Sequence, residues 1–432
     1  MTMDLRDKIG RCQMAKAPKA AFAAAMLIGG VASAQAVDEA AVVRHYADLG
    51  EAGYTDAFTT GQALQVAVDA LLNAPSEATQ AAAKSAWVAA RIPYLQTEAF
   101  RFGNPVVDAW EPRVNAWPLD EGLIDYVDIG SAAVNEENDY ALLNVIANPS
   151  LTIGGTAVDA NTITPALISG ALHEAEGIEA NVASGYHAVE FLLWGQDLNG
   201  TDAGAGARPY TDFLQGEGCT GGNCDRRAAY LRSVTDLLVT DLGEMSIAWA
   251  PGGAAREAAE NEGGVSAILT GLGSLSYGEL AGERIKLGLM LHDPEEEQDC
   301  FSDMTHLSHY YDGLGIENVY TGRYIRADGT EMSGPSVSDL VAARAPEVDA
   351  QLRDELAASM TALGAMKTAA ENGMAYDQML AMGNASGAAL IEDAVAALIA
   401  QTRSIERAVT AVGANASVEG SDSLDNPTAV AQ

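Results

Sequence analysis

Apolar residues recur at helical spacing through much of the chain. Leu64, Val68, Leu71 and Leu72 form one such stripe, and Ser76, after Pro75, stands where a helix N-cap belongs, ahead of the alanine-rich stretch that carries Trp87. This predicts an antiparallel helix pair. Near the other end, Ile391, Val395, Leu398, Thr402, Ile405, Val409 and Val412 step by four and three, the seam of a long bundled helix. No comparable run alternates with the period of a strand, and β-branched clusters are few and short. The pattern predicts an all-α protein of two helical bundles. A faint echo between the halves makes duplication of a four-helix-bundle-like unit one way to build them: Ala90-Arg91 leads to Phe100-Arg101-Phe102, and Glu283-Arg284 leads to Cys300-Phe301.

The ends read differently. Arg6, Lys8, Arg11, Lys16 and Lys19 precede an apolar stretch from Ala20 to Val31 and then Ala32-Ser33-Ala34, the order of a secretory signal peptide over residues 1–34. An uncleaved anchor is the alternative, but the stretch is short of the roughly 20 apolar residues of a membrane span, and no later segment approaches that length. Residues 38–198 are expected to form one helical domain and 223–412 a second, joined by a linker at 199–222 that is dense in glycine. The tail at 413–432 is small, polar and acidic, without an apolar period, and is expected to be loose. The expected location is the periplasm, or outside the cell.

Charge narrows the partners. The chain holds 24 Lys and Arg against 60 Asp and Glu, a net −36. Residues 1–34 carry five basic and two acidic groups, which leaves −39 on the rest. Such a surface repels nucleic acid and anionic membrane and gathers cations, although many exported proteins are acidic for solubility alone. Cys219 and Cys224 are placed to close a small disulfide loop in an oxidising compartment, while Cys300 is left over and could instead pair with either.

The chemistry concentrates in Ser184 to Asp197. At about 100° per residue, His187, Glu190, Phe191 and Trp194 share one face of a helix, with Val189, Leu192 and Leu193 on the other. A helix apolar nearly all round is buried, so an imidazole and a carboxylate three residues apart need each other or a third partner. A metal ion satisfies both. The competing reading is a His–Glu hydrogen bond that only fastens two helices. His306 and His309 can likewise share a helical face, and His173-Glu-Ala-Glu-Gly177 has glycine where a zincin carries its second ligand.

Several segments together resemble the imelysin family, in particular its iron-regulated protein A branch. They are Gly185-x-His187-x-x-Glu190 with Phe191 to Asp197, Arg208 to Phe213, Gln96 to Gly103, Trp117 to Glu121, Gly282-Glu-Arg284, Cys300 to Asp303 with His306, and Gly315 to Tyr320. The resemblance spans about Val42 to Val412. It implies a two-bundle helical fold with His187 and Glu190 near the junction, and a role in bacterial iron acquisition as a periplasmic iron-binding protein that delivers to a membrane-bound or periplasmic transport partner. Glu98, Asp120 and Glu121, each in a family-like motif, are candidates to complete the metal sphere. Ion pairs with Arg91, Arg101 or Arg113 are the competing role for each. Gly185, Arg91, Trp194, Arg284 and His306 support the motifs.

The family is also catalogued among metallopeptidases, so a zinc peptidase is the alternative function. A non-metal scaffold or adhesion module is the third. The chain has no His-Glu-x-x-His, and Phe191 stands where an inverted motif needs its second histidine. One imidazole among oxygens suits iron, with zinc as the other candidate.

Overall fold

The computed structural model describes residues 37–128 and 138–430. The leader expected at 1–34 lies outside the described residues. From Val37 onward the chain forms one compact unit, which holds both of the expected halves.

The unit is built from helices, here α1 (Glu39–Asn73), α2 (Glu77–Leu95), α3 (Gly185–Trp194), α4 (Cys224–Trp249), α5 (Gly264–Ser274), α6 (Thr305–Thr321), α7 (Pro346–Glu371) and α8 (Ala385–Val412), with shorter helical turns between them. Among the described residues strand is confined to two small antiparallel hairpins, Ser150–Ile153 with Thr156–Asp159 and Arg323–Ile325 with Glu331–Ser333. No described helix is long and apolar enough to cross a membrane.

The start of α2 forms as its sequence predicts. Ser76 Oγ accepts the Thr79 N–H at 3.2 Å, and Thr79 Oγ1 accepts the Ser76 N–H at 3.0 Å, so both orphan amides are satisfied. The buried positions Gln80, Ala83, Trp87, Ala90, Arg91 and Tyr94 step by three and four, and this stripe faces α1, α3 and α6. Helix α1 packs along both α2 and α4, which places a helix from beyond the glycine-rich segment directly against the first hairpin of helices. In the second half α7 lies along α8, whose Ile391, Val395, Leu398, Thr402 and Ile405 are buried as the seam requires. Between α5 and residue 286 the helix widens into a π-helical run, Leu275–Lys286, which carries Arg284 inward. Cys219 and Cys224 form a disulfide, and Cys300 is free.

The tail makes contacts of its own. Residues 413–430 are docked on α5 and the π-helical run: the Ser417 and Glu419 amides donate to Thr270 Oγ1 and Ser274 Oγ at 3.3 and 3.1 Å, and Ser421 Oγ donates to Glu283. Glycine makes room for it. A Cβ on Gly278 would meet the Glu419 carbonyl at 2.9 Å, and one on Gly282 would meet Ser421 Oγ. Polar pairing and close approach, with no apolar period to read, hold this segment.

Candidate metal centre

Helix α3 is buried along its whole length. Trp87 Nε1–H donates to the Tyr186 carbonyl at 2.9 Å, Tyr230 O–H donates to the Ala183 carbonyl at 2.9 Å, and Ser184 Oγ donates to the Arg113 carbonyl at 3.0 Å. These contacts fix the start of α3 between α2, α4 and the turn at Pro112–Asn115. Gly185 is required there: its φ is +82°, and a Cβ would lie 2.5 Å from the Val114 carbonyl oxygen. The glycine two residues before His187 is therefore a packing requirement.

His187 and Glu190 are 1% and 0% exposed and share a hydrogen bond, Nδ1 to Oε2, of 3.0 Å. A third group completes the cluster. Asp299, from the turn after the Pro294–Glu296 segment, brings Oδ1 to 3.9 Å from His187 Nδ1 and is itself buried. The three side chains offer ligand atoms within 4.8 Å of one another. Donors about 2.0–2.2 Å from a common ion stand roughly 3–4 Å apart, so the two distances to His187 Nδ1 suit a shared metal. Asp299 Oδ1 is buried without a hydrogen bond of good geometry, which leaves donor capacity unspent at the cluster, and His187 Nε2 is also buried without one.

Supporting groups surround these three. Ser302 gives Glu190 Oε1 two hydrogen bonds, from its amide at 3.0 Å and its hydroxyl at 2.6 Å. Ser308 Oγ donates to Asp299 Oδ2. Arg91 pairs with Asp299 Oδ1 at 3.1 Å, donates to Asn115 and Ser308, and lies over the Tyr186 ring at 5.1 Å. Burial first, then Arg91, lowers the His187 imidazole to about 3, so it stays neutral with a lone pair available. Burial, then the Asp299 charge, raises the Glu190 carboxyl well above its ordinary range. Burial would raise Asp299 too, but Arg91, His187, the Ser308 hydroxyl and His309 together outweigh it and hold that carboxyl below the usual value.

The other sequence candidates lie elsewhere. Glu98 is buried and accepts from Arg284 Nη2 at 2.8 Å, in a network where Arg284 also pairs with Asp312 at 2.8 Å and with Glu279 at 2.7 Å. Glu98 is thus an ion-pair partner across 186 residues, with Arg284 in place of the arginines considered from sequence. Asp120 accepts from Asn138 Nδ2. Glu121 lines a small cleft with Asp197, Glu295, Glu297 and Cys300. Trp194 closes the end of α3 against Trp87, with ring centroids 5.3 Å apart. His306 Nδ1–H donates to the Asp303 carbonyl at 3.1 Å, and His309 Nε2–H donates to the Arg284 carbonyl at 3.0 Å. Their shared helical face therefore satisfies backbone. Sequence reasoning missed Asp299, Ser302, Ser308 and Asn115. The signal available was position: Asp299 immediately precedes Cys300-Phe-Ser-Asp303, the segment already set apart by its resemblance.

An all-α fold that buries one helix presenting His and Glu at i and i+3 toward an aspartate from a distant turn defines a helical protein with a candidate metal centre. The chain belongs to the imelysin family, whose model matches residues 50–405. In fold it is similar to a crystal structure from Parabacteroides distasonis, provisionally assigned as an iron-regulated protein A precursor, with a TM-score of 0.63 at 19% identity, covering 88% of this chain and 97% of that one. No curated protein matches the chain.

Proposed function

We propose that this imelysin-family protein binds iron through His187, Glu190 and Asp299 and serves as an exported component of iron acquisition, passing the metal to a transport partner. The observation that carries the reading is the meeting of Asp299 with His187 and Glu190 in one buried cluster, across more than a hundred residues of chain. One imidazole and two carboxylates form a nitrogen–oxygen set of the kind iron and manganese accept. The charges fit as well: with His187 neutral and Asp299 paired to Arg91, a cation would take the place of the proton that burial favours on Glu190. Glu98, Asp120 and Glu121 are not in this ligand set. The fold likeness to an assigned iron-regulated protein A precursor agrees with an iron-related role.

Peptide hydrolysis is less well supported. A catalytic zinc keeps a position open to water and substrate, whereas the three groups here are at most 1% exposed and Glu190 is held by Ser302.

The test is metal content by mass spectrometry on the untagged protein beside His187→Ala and Glu190→Gln, with circular dichroism to confirm that each variant folds. Iron near one per chain in the wild type, lost in both folded variants, is the expected result. No metal in any of the three after incubation with ferrous, ferric and zinc ions would sink the proposal.

A further inference from the structure

A second group of acids lies along the same segment that supplies Asp299. Glu297, Asp303 and Asp377 bring carboxylate oxygens within 4.8 Å of one another. Glu297 and Asp377 are 2% and 1% exposed. Glu297 Oε1, Asp303 Oδ1 and both carboxylate oxygens of Asp377 are buried without a hydrogen bond of good geometry. Where Glu98, Asp125, Asp299 and Asp312 meet arginine, the charges that act on these three are acidic: Asp299, Asp303 and Asp377 on Glu297, which also takes a hydrogen bond from Thr305, and Asp197 on Asp303 and Asp377. Three desolvated carboxyls with no cation and open lone pairs are unfavourable unless protons or a metal ion neutralise them.

We propose that Glu297, Asp303 and Asp377 form a second cation site, specific for a hard divalent ion of the calcium type and separate from the His187 centre. The ligand chemistry is all oxygen, which favours calcium, magnesium or manganese over zinc and copper. The three carboxylates bring oxygens within 4.8 Å of one another, and oxygens on opposite sides of a calcium ion stand about 5 Å apart, so one such ion can take all three as ligands. Asp303 is held at φ +56°, a left-handed conformation that aspartate tolerates better than most residues, at the turn that aims its carboxyl toward the cluster. Burial raises the Asp303 and Asp377 carboxyls to about 7 and about 6, the response of acids gathered without a counter-ion.

The location gives the site a consequence. Glu297 and Asp303 bracket the turn that delivers Asp299 and Ser302 to His187 and Glu190, and Asp377, from the Tyr376–Leu380 helix, lies beside it. A cation held there fixes the loop that supplies Asp299. Its approach is provided by the acidic cleft of Glu121, Asp197 and Glu295, whose wall includes Glu297.

The experiment is calorimetric titration of the chelator-stripped chain with calcium chloride, with zinc chloride as comparison and thermal unfolding measured in parallel. Wild type, Asp377→Asn, Glu297→Gln and His187→Ala are compared. One calcium per chain with a raised Tm is expected in the wild type and in His187→Ala. At least a tenfold loss of affinity is expected in Asp377→Asn and Glu297→Gln, and if Glu297→Gln fails to fold, Asp377→Asn decides. Calcium binding unchanged in Asp377→Asn, preference for zinc at a site that survives His187→Ala, or a wild type that binds no calcium would each overturn the proposal. Because His187→Ala keeps the second site intact, its outcome is independent of the iron reading.

Discussion

Asp299 stands between Arg91 and His187, with one carboxylate oxygen 3.1 Å from the guanidinium and 3.9 Å from the imidazole nitrogen. Arg91 keeps this carboxylate charged in a buried setting and repels a proton from His187, so one arginine prepares two candidate ligands at once. Removing it leaves Asp299 buried and unpaired. Arg91→Ala is expected to lose about 3–5 kcal/mol of stability in denaturant unfolding. Asp299→Asn, which keeps the shape and removes the charge, is expected to lose at least tenfold in iron affinity and also some stability, because it leaves the Arg91 guanidinium buried without its carboxylate. Equal iron binding in Asp299→Asn would remove that residue from the ligand set.

Gly185 carries the second prediction. Alanine there must adopt φ near +82° and press its methyl group against the Val114 carbonyl. Gly185→Ala is expected to destabilise by at least about 2 kcal/mol, from backbone strain and the clash together. It also displaces the first turn of α3, so iron binding should fall with stability. An unchanged Tm would show that the close approach is easily relieved.

Ser302 does not touch a metal in this arrangement but orients Glu190, whose other oxygen faces His187. Ser302→Ala removes the hydroxyl bond and keeps the backbone one. A loss of about 1 kcal/mol in stability is expected, together with roughly 10-fold weaker metal binding, the usual effect of losing a partner of a ligand. Ser302→Thr should restore most of the binding, a recovery that a merely space-filling role for the hydroxyl does not predict.

Glu121 gives a pH dependence with a definite sign. Burial, then Glu295, raises its carboxyl from 4.5 to about 7. A group whose folded value lies above its unfolded value costs no stability below the unfolded one, at pH 4 and under. The cost grows from about pH 4.5 to 7 and stays constant above. Glu121→Gln should therefore match the wild type near pH 4 and exceed it by about 1–3 kcal/mol at pH 8, a range that allows for partial solvent access. Urea unfolding of both proteins at the two pH values checks this, and a variant less stable at pH 8 would contradict it.

Local pattern determined much of this protein. Stripes at three and four gave the all-α class, the Ser76 cap and the α8 seam, because helix period and capping are properties of neighbouring residues. Burial of His187 and Glu190 was readable for the same reason: a helix apolar on every side has no face for water. The partner of that pair was not readable. Ser302 is 112 residues from Glu190 along the chain and Asp299 lies in the same turn, and only packing of the 297–303 turn on α3 brings the groups together. Glu98 was drawn to Arg284 across 186 residues by charge, which many arginines could have supplied, so sequence could name the acid's need and not its partner. The docked tail had no period to reveal it, since hydroxyls meeting amides over glycines leave no apolar trace. Sequence alone determined which elements form and which polar groups must be buried; tertiary structure decided which of those groups meet, because desolvated charges are satisfied by whatever the fold places within about 4 Å, at any distance along the chain.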